Sequence, residues 1–185
     1  SQQGEIGLMI LAPMLTFCLV FMPFVLKILY SDSFLAANEY ISWECLGMML
    51  RLAAWVISYL FVAKAESKLF LKLELSANIY YLVFSLIGYH FWGLIGLGIA
   101  FAMEYVVYFV QCYLIARKRY DFRFSHSFIK CYGIQLLLVI ACLAIVMVFD
   151  GWMKYTFGSV IIALSCLLGL KGLNQRMNLL GFVKN

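Results

Sequence analysis

Long apolar runs separated by a few polar residues organise this sequence. They cover about 6–29, 35–63, 70–89, 93–116, 128–149 and 152–170. Each is near or above the roughly 20 residues that a helix needs to cross a hydrocarbon core. A helix is the expected form, because a segment in lipid has to satisfy its own backbone polar groups. A membrane β-barrel would instead show alternating runs of about ten residues, and none occur here. The pattern predicts an all-α, polytopic membrane bundle of about six transmembrane helices in a single membrane domain. The connections are short. Ser31-Asp32-Ser33 offers side-chain oxygens to cap the second helix. Residues 64–68 form a charged turn and 89–93 a tight, uncharged one. The longest polar stretch is 117–127, Asp150-Gly151 makes a minimal turn, and a polar tail follows Lys171.

Composition excludes the soluble alternative. Hydrophobic residues make up 65% of the 185 and charged residues 12%, against about 45–50% and about 25% in soluble domains. One water-soluble core cannot hide that much apolar surface, so the lipid bilayer is the expected partner. Aromatic residues, at 17%, suit the bilayer interfaces. The chain does not begin with Met. Its first apolar run is too long for a signal-peptide core and lacks a small-residue cleavage site, so it reads as a piece of something longer.

The net charge of +5 does not point to nucleic acid, because the basic residues sit between apolar runs and sort by side. Lys64, Lys68, Lys72, Arg117, Lys118, Arg119, Arg123, Lys130, Lys171, Arg176 and Lys184 fall on one side. Lys27 and Lys154 fall on the other, and Arg51 lies within a span. Positive loops face the cytoplasm, so both termini are expected there. Cys18, Cys45, Cys112, Cys131, Cys142 and Cys166 lie in or beside apolar runs without a CxxC spacing, which reads as packing rather than disulfides or ligands. His90 and His126 form no metal motif, and neither a metal nor a cofactor is expected. Ser125-His126-Ser127 sits in a basic loop with only Asp121 as a nearby acid, which reads as a solvated loop.

Charges inside a span are costly, about 2.5–3.5 kcal/mol at a helix centre on insertion scales, and usually face a bundle interior or a wet cavity. The second helix carries Glu44, Gly47, Arg51 and Ser58, with Glu44 and Arg51 on one stripe. Arg51 either closes an ion pair that fixes packing or meets an anionic substrate, for which its planar fork suits phosphate. The fourth helix carries Glu104, Tyr108 and Gln111 on one stripe. Glu104 either partners Arg51 or serves as a coupling group for a proton or sodium ion. The third carries Glu74, Asn78, Tyr81 and Ser85, read mainly as a packing face with Glu74 snorkelling to the edge. Pro13 and Pro23 both lie in the first helix, where they favour kinks suited to a gate or to static packing. The run 92–100 contains Gly93, Gly96 and Ala100, and Gly96 with Ala100 forms a small-xxx-small pair for close helix approach. It is not a dinucleotide fingerprint, which needs a preceding strand.

Residues 23–116 resemble the C-terminal half of polysaccharide flippases, such as O-antigen repeat-unit translocases, of the multidrug/oligosaccharidyl-lipid/polysaccharide exporter superfamily. The resemblance rests on Leu29-Tyr30-Ser31-Asp32-Ser33-Phe34-Leu35-Ala36-Ala37, on the helix ending Phe61-Val62-Ala63-Lys64-Ala65-Glu66-Ser67-Lys68, and on the glycine-rich run 92–100. Gln2-Gln3-Gly4-Glu5 before an apolar helix with Pro13 is similar too. Ala65 departs from the pattern, standing where the family often has Gly. The resemblance implies one six-helix lobe of a two-lobed exporter in the bacterial cytoplasmic (inner) membrane, its N-terminal lobe absent from this chain. It implies a lipid-linked oligosaccharide as substrate, flipped between leaflets by alternating access. It does not assign roles to Arg51, Glu44 or Glu104, which rest on intramembrane charge alone. Alternatives are a membrane-embedded polysaccharide polymerase or acyltransferase, against which the very short outer loops argue, a drug or peptidoglycan-precursor exporter, and a dimerising membrane subunit.

Overall fold

The computed structural model describes residues 2–29, 36–149 and 151–177. The expected cap Ser31-Asp32-Ser33, Asp150 of the expected turn, most of segment 29–37 and the tail with Lys184 lie outside the described residues. The chain forms α1 (Gln2–Leu29), α2 (Ala36–Ala63), α3 (Ser67–Tyr120), α4 (His126–Val148) and α5 (Trp152–Met177), with no strand among the described residues. All five are long and apolar enough to cross a membrane. The fold is an all-helical, multi-pass membrane bundle.

The third helix differs most from expectation. A straight helix of its 54 residues would be about 80 Å long at roughly 1.5 Å per residue, far more than the roughly 30 Å of a hydrocarbon core. Gly93 resolves this, with φ 59° and ψ −134° inside the helix. Contacts across it pair Ser76 with Gln111, Glu74 with Tyr108, Glu66 with Arg119, Tyr81 with Phe101 and Gly88 with Gly96. Every pair is centred close to Gly93, which is the signature of two antiparallel limbs, 67–92 and 94–120. The expected loop 89–93 thus shrinks to one residue. Only glycine enters that backbone region without strain. Gly93, expected to serve helix packing, instead makes the reversal, and a Cβ there would meet nothing within 4 Å. Gly96 is the residue that packs. A Cβ on it would collide with the Gly88 carbonyl of the opposing limb.

The described residues group into two compact units by their contacts. Unit 1 comprises Ser1–Phe24 with His126–Asn185, and unit 2 comprises Val25–Ser125. Apolar periodicity says which segments enter lipid, but it carries no information on which segments pair.

Unit 2 packs α2 beside the hairpin. Gly47 faces Phe101 and Ala102, Ser58 faces Tyr108, and Gly98 lies on Tyr40 and Trp43. The near-constant offset means that α2 runs parallel to the second limb. Small residues set these approaches, since lipid supplies no hydrophobic force between helices and close packing has to do the work. An apolar cluster around Ile57, Phe61, Leu73 and Cys112 fills the end of the unit where the basic residues lie. Stacked Phe109, Tyr113 and Phe124 line that end, with centroids 6.0–6.2 Å apart. The outer face of the first limb is left apolar, with Leu71, Leu75, Leu82 and Leu86 exposed, as suits contact with lipid.

The C-termini of α2 and of the second limb each close by a left-handed residue. Ala65 has φ 58°. Its N–H bonds the Val62 carbonyl, and the Glu66 N–H reaches the Phe61 carbonyl, each at 3.0 Å. This is the Schellman arrangement that normally carries Gly at Ala65's position. Asp121, with φ 47°, closes the second limb by a wider turn, its N–H on the Arg117 carbonyl and the Phe122 N–H on the Ala116 carbonyl.

In unit 1, α5 runs antiparallel to α1, with Gly158 on Val20 and both Gly169 and Gly172 on Met9. The α4 helix lies antiparallel to α5 through Gln135–Ser165 and Phe149–Phe157. The α1 helix continues unbroken through Pro13 and Pro23. Pro13 has no N–H to give the Met9 carbonyl, and Gly169 packs against that same carbonyl. Thr16 Oγ1 donates to the Pro13 carbonyl at 2.9 Å. The expected end of the last span at 170 is passed. Helix α5 continues to Met177 because no proline interrupts its hydrogen bonding.

Candidate functional site

The intramembrane charges singled out in the sequence meet inside unit 2. Arg51 sits midway along α2, and its guanidinium carbon lies 5.4 Å from the Trp55 ring centroid and 5.5 Å from that of Tyr105. Trp55 is one turn further along α2, so helix periodicity alone stacks it on Arg51. Tyr105 comes from the second limb of α3. Two aromatic faces therefore hold the cation by its charge. Arg51 Nη1 also points at the Met48 sulfur, 4.0 Å away. Among the described residues, no carboxylate forms an ion pair with Arg51.

Glu104, the neighbour of Tyr105 on the second limb, is only 5% exposed. It interacts electrostatically with Arg51 and with Glu74, yet neither a hydrogen bond nor an ion pair holds it among the described residues. Glu44 is engaged elsewhere, because Tyr40 OH donates to its Oε1 from one turn earlier on α2. The Glu44–Arg51 stripe is therefore real as a helix face but does not close as an ion pair.

A second polar cluster lies further along the same helices. Tyr108, 1% exposed, donates to Glu74 Oε1 at 2.5 Å and shares a 2.9 Å hydrogen bond with Ser58. One phenol thus ties α2 and both limbs of α3. Sequence reasoning placed all three residues on polar stripes but expected Glu74 to snorkel. In the structure it turns inward, because Tyr108 supplies the donor its carboxylate needs. Ser76 lies 3.3 Å from Gln111 in the same seam. Phe101, Tyr105 and Tyr108 form a column of edge-on rings, with centroids 4.9 and 6.3 Å apart.

Unit 1 holds a neutral polar contact that no pattern announced. Ser165 donates to Gln135 Oε1 at 2.8 Å, and both residues are buried. All six cysteines are free. Among the described residues, no three His, Cys, Asp or Glu side chains converge where a metal ion would sit. The arrangement can hold an anion beside Arg51 and a cation or proton on Glu104. No side chain in it is set up as a nucleophile beside a base.

No protein-family model matches the chain, and no solved structure matches it. Two curated relatives do, the lipid III flippases of Escherichia coli (strain K12) and Shigella flexneri. Each is 33% identical over 101 residues, which is 52% of this chain and 24% of the relative's length.

Proposed function

We propose that the chain is one lobe of a membrane transporter that flips polyprenyl-diphosphate-linked oligosaccharide repeat units from the cytoplasmic to the outer leaflet. The product would feed surface polysaccharide synthesis (O-antigen, capsule or exopolysaccharide) in a bacterial inner membrane. The role is transport, not enzymatic. The observation that carries the reading is Arg51, a cation at mid-membrane held by Trp55 and Tyr105 rather than neutralised by an ion pair. Its fork is the contact for the diphosphate. Glu104, buried beside it, is the coupling group for a proton or sodium ion. The similarity to lipid III flippases over half of the chain supports the step. An N-terminal lobe of the same protein completes the cavity, and both termini lie in the cytoplasm, on the side of the basic loops. Alternating access rocks the lobes, with Pro13 and Pro23 shaping the α1 gate.

Cells lacking the parent gene test this directly. Complete repeat units should accumulate on the cytoplasmic leaflet and surface polymer should be lost. Complete, unpolymerised units on the outer leaflet would instead identify a polymerase. In the complemented strain, Arg51→Ala should abolish export at normal protein levels, and Glu104→Gln should flatten the dependence of export on pH or sodium.

A further inference from the structure

The basic end of unit 2 contains a pocket that the transport reading does not use. It has a volume of about 540 Å³ and is lined by Lys68, Lys72, Arg119, Glu66 and Leu69, among others. Glu66 cancels part of this charge, since both of its oxygens bond Arg119 Nη1, at 3.0 and 2.8 Å. Only that one nitrogen of the guanidinium is engaged by the carboxylate. Lys68 and Lys72 form no ion pair with any described residue. They stand one turn apart on α3, so their ammonium groups can reach one anion together.

The position of the pocket says what kind of anion. The spans Ala37–Ala63 and Ser67–Tyr120 both end here, which puts the cations at headgroup depth. From the same face of α3, Leu71, Leu75 and Ile79 run away from the pocket along the first limb, each more than half exposed. A cluster of cations at the end of an apolar stripe fits an amphiphile whose charged end is anionic. Basic pockets between helices at a membrane surface bind lipid headgroups in this way.

We infer that this pocket binds the phosphate group of a membrane lipid, with the lipid chain lying along Leu71, Leu75 and Ile79. The inference concerns binding alone and does not require translocation, so it stands or falls apart from the transport reading. The phosphate is supplied either by a glycerophospholipid or by a polyprenyl phosphate.

The test is native mass spectrometry of the full chain in detergent, titrated with phosphatidylglycerol, phosphatidylcholine or a polyprenyl phosphate. Phosphatidylglycerol or polyprenyl phosphate should be retained over phosphatidylcholine, and the tighter of the two identifies the source. Lys68→Gln with Lys72→Gln should weaken retention about twenty-five-fold, at roughly fivefold per ammonium near an anionic group. Lys64→Gln with Lys118→Gln removes the same charge outside the pocket and should weaken retention far less, because neither ammonium group lines the pocket. Both pairs are exposed, and helicity by circular dichroism confirms that each variant is folded. Equal losses in the two double variants would reduce the effect to a diffuse field and overturn the site. So would equal retention of phosphatidylcholine. Displacement of the lipid by an equal concentration of sodium phosphate would overturn the lipid assignment.

Discussion

Unit 2 joins its helices through charged groups, whereas unit 1 joins α4 to α5 through a neutral pair. In unit 2, Arg51 lies between two rings, Glu104 is buried beside it, and Tyr108 ties Glu74 to Ser58. In unit 1 the polar links between helices include Gln135 with Ser165 and the Cys142 thiol on the Thr16 carbonyl, and close approaches are made by Gly158, Gly169 and Gly172. A neutral pair is enough to register two helices in lipid and costs little. Retaining Arg and Glu in a span costs several times more, and the register of unit 1 is achieved without such a pair between Gln135 and Ser165. A neutral pair therefore suffices for the α4–α5 contact, so the need to register helices does not by itself account for Arg51 and Glu104.

The contrast can be broken at its strongest contact first. Gly96→Ala places a methyl group against the Gly88 backbone, which cannot rotate away. It should cost about 3 kcal/mol, the upper end for overpacking. Gly158→Ala in unit 1 first meets the Val20 side chain, which can shift, and should cost about 1 kcal/mol. Thermal unfolding in detergent reads both, and equal losses would erase the distinction between the two kinds of glycine contact.

Tyr108→Phe removes the one hydroxyl shared by Ser58 and Glu74. Leaving the carboxylate without its donor should cost about 2 kcal/mol, and adding Glu74→Gln should recover part of it. A double-mutant cycle measures that coupling, and strictly additive losses would mean the three helices are not tied there. Ala65→Gly should act in the opposite direction. It relieves a left-handed alanine and should stabilise by about 1 kcal/mol, seen as a higher midpoint in the same melt. Smallest of all, Gln135→Leu should cost about 0.6 kcal/mol, the average for a polar contact between membrane helices. A loss as large as that of Tyr108→Phe would show that unit 1 depends on polar contacts as heavily as unit 2.

The spans were legible in the sequence because apolar length and charge at the ends suffice to define them. The reversal near Gly93 was legible as a break, though not as a single residue, because only the backbone angles reveal that no loop intervenes. Arg51, Glu104 and the stripes with Ser58, Tyr108 and Glu74 were visible, since a charge in a span announces itself. Their partners were not. Helical periodicity tells which residues share a face, so Trp55 could have been placed beside Arg51. It cannot tell that Tyr105 comes across from α3, that Tyr40 occupies Glu44, or that Glu74 turns inward. Gln135 and Ser165 left no trace because single neutral polar residues are common in apolar runs. Ala65 is the exception in the turns. A Gly is usual at such a helix end because of the left-handed backbone, and Ala65 departs from it.

The one-residue reversal at Gly93 also governs how the hairpin would enter a bilayer during synthesis. Its tip carries no long polar loop, only the neighbouring rings of His90, Phe91 and Trp92, the first two edge-on and the last two tilted. No Lys, Arg, Asp or Glu would have to be dragged through the hydrocarbon at the tip, and aromatic rings are at home in the interface where the tip would stop. The two limbs can therefore insert together, as a preformed pair whose backbone is already satisfied. A peptide tag spliced in at this tip would add polar cargo to that passage and part the Gly88–Gly96 contact, so the basic turns at the opposite end are the sounder place for a label.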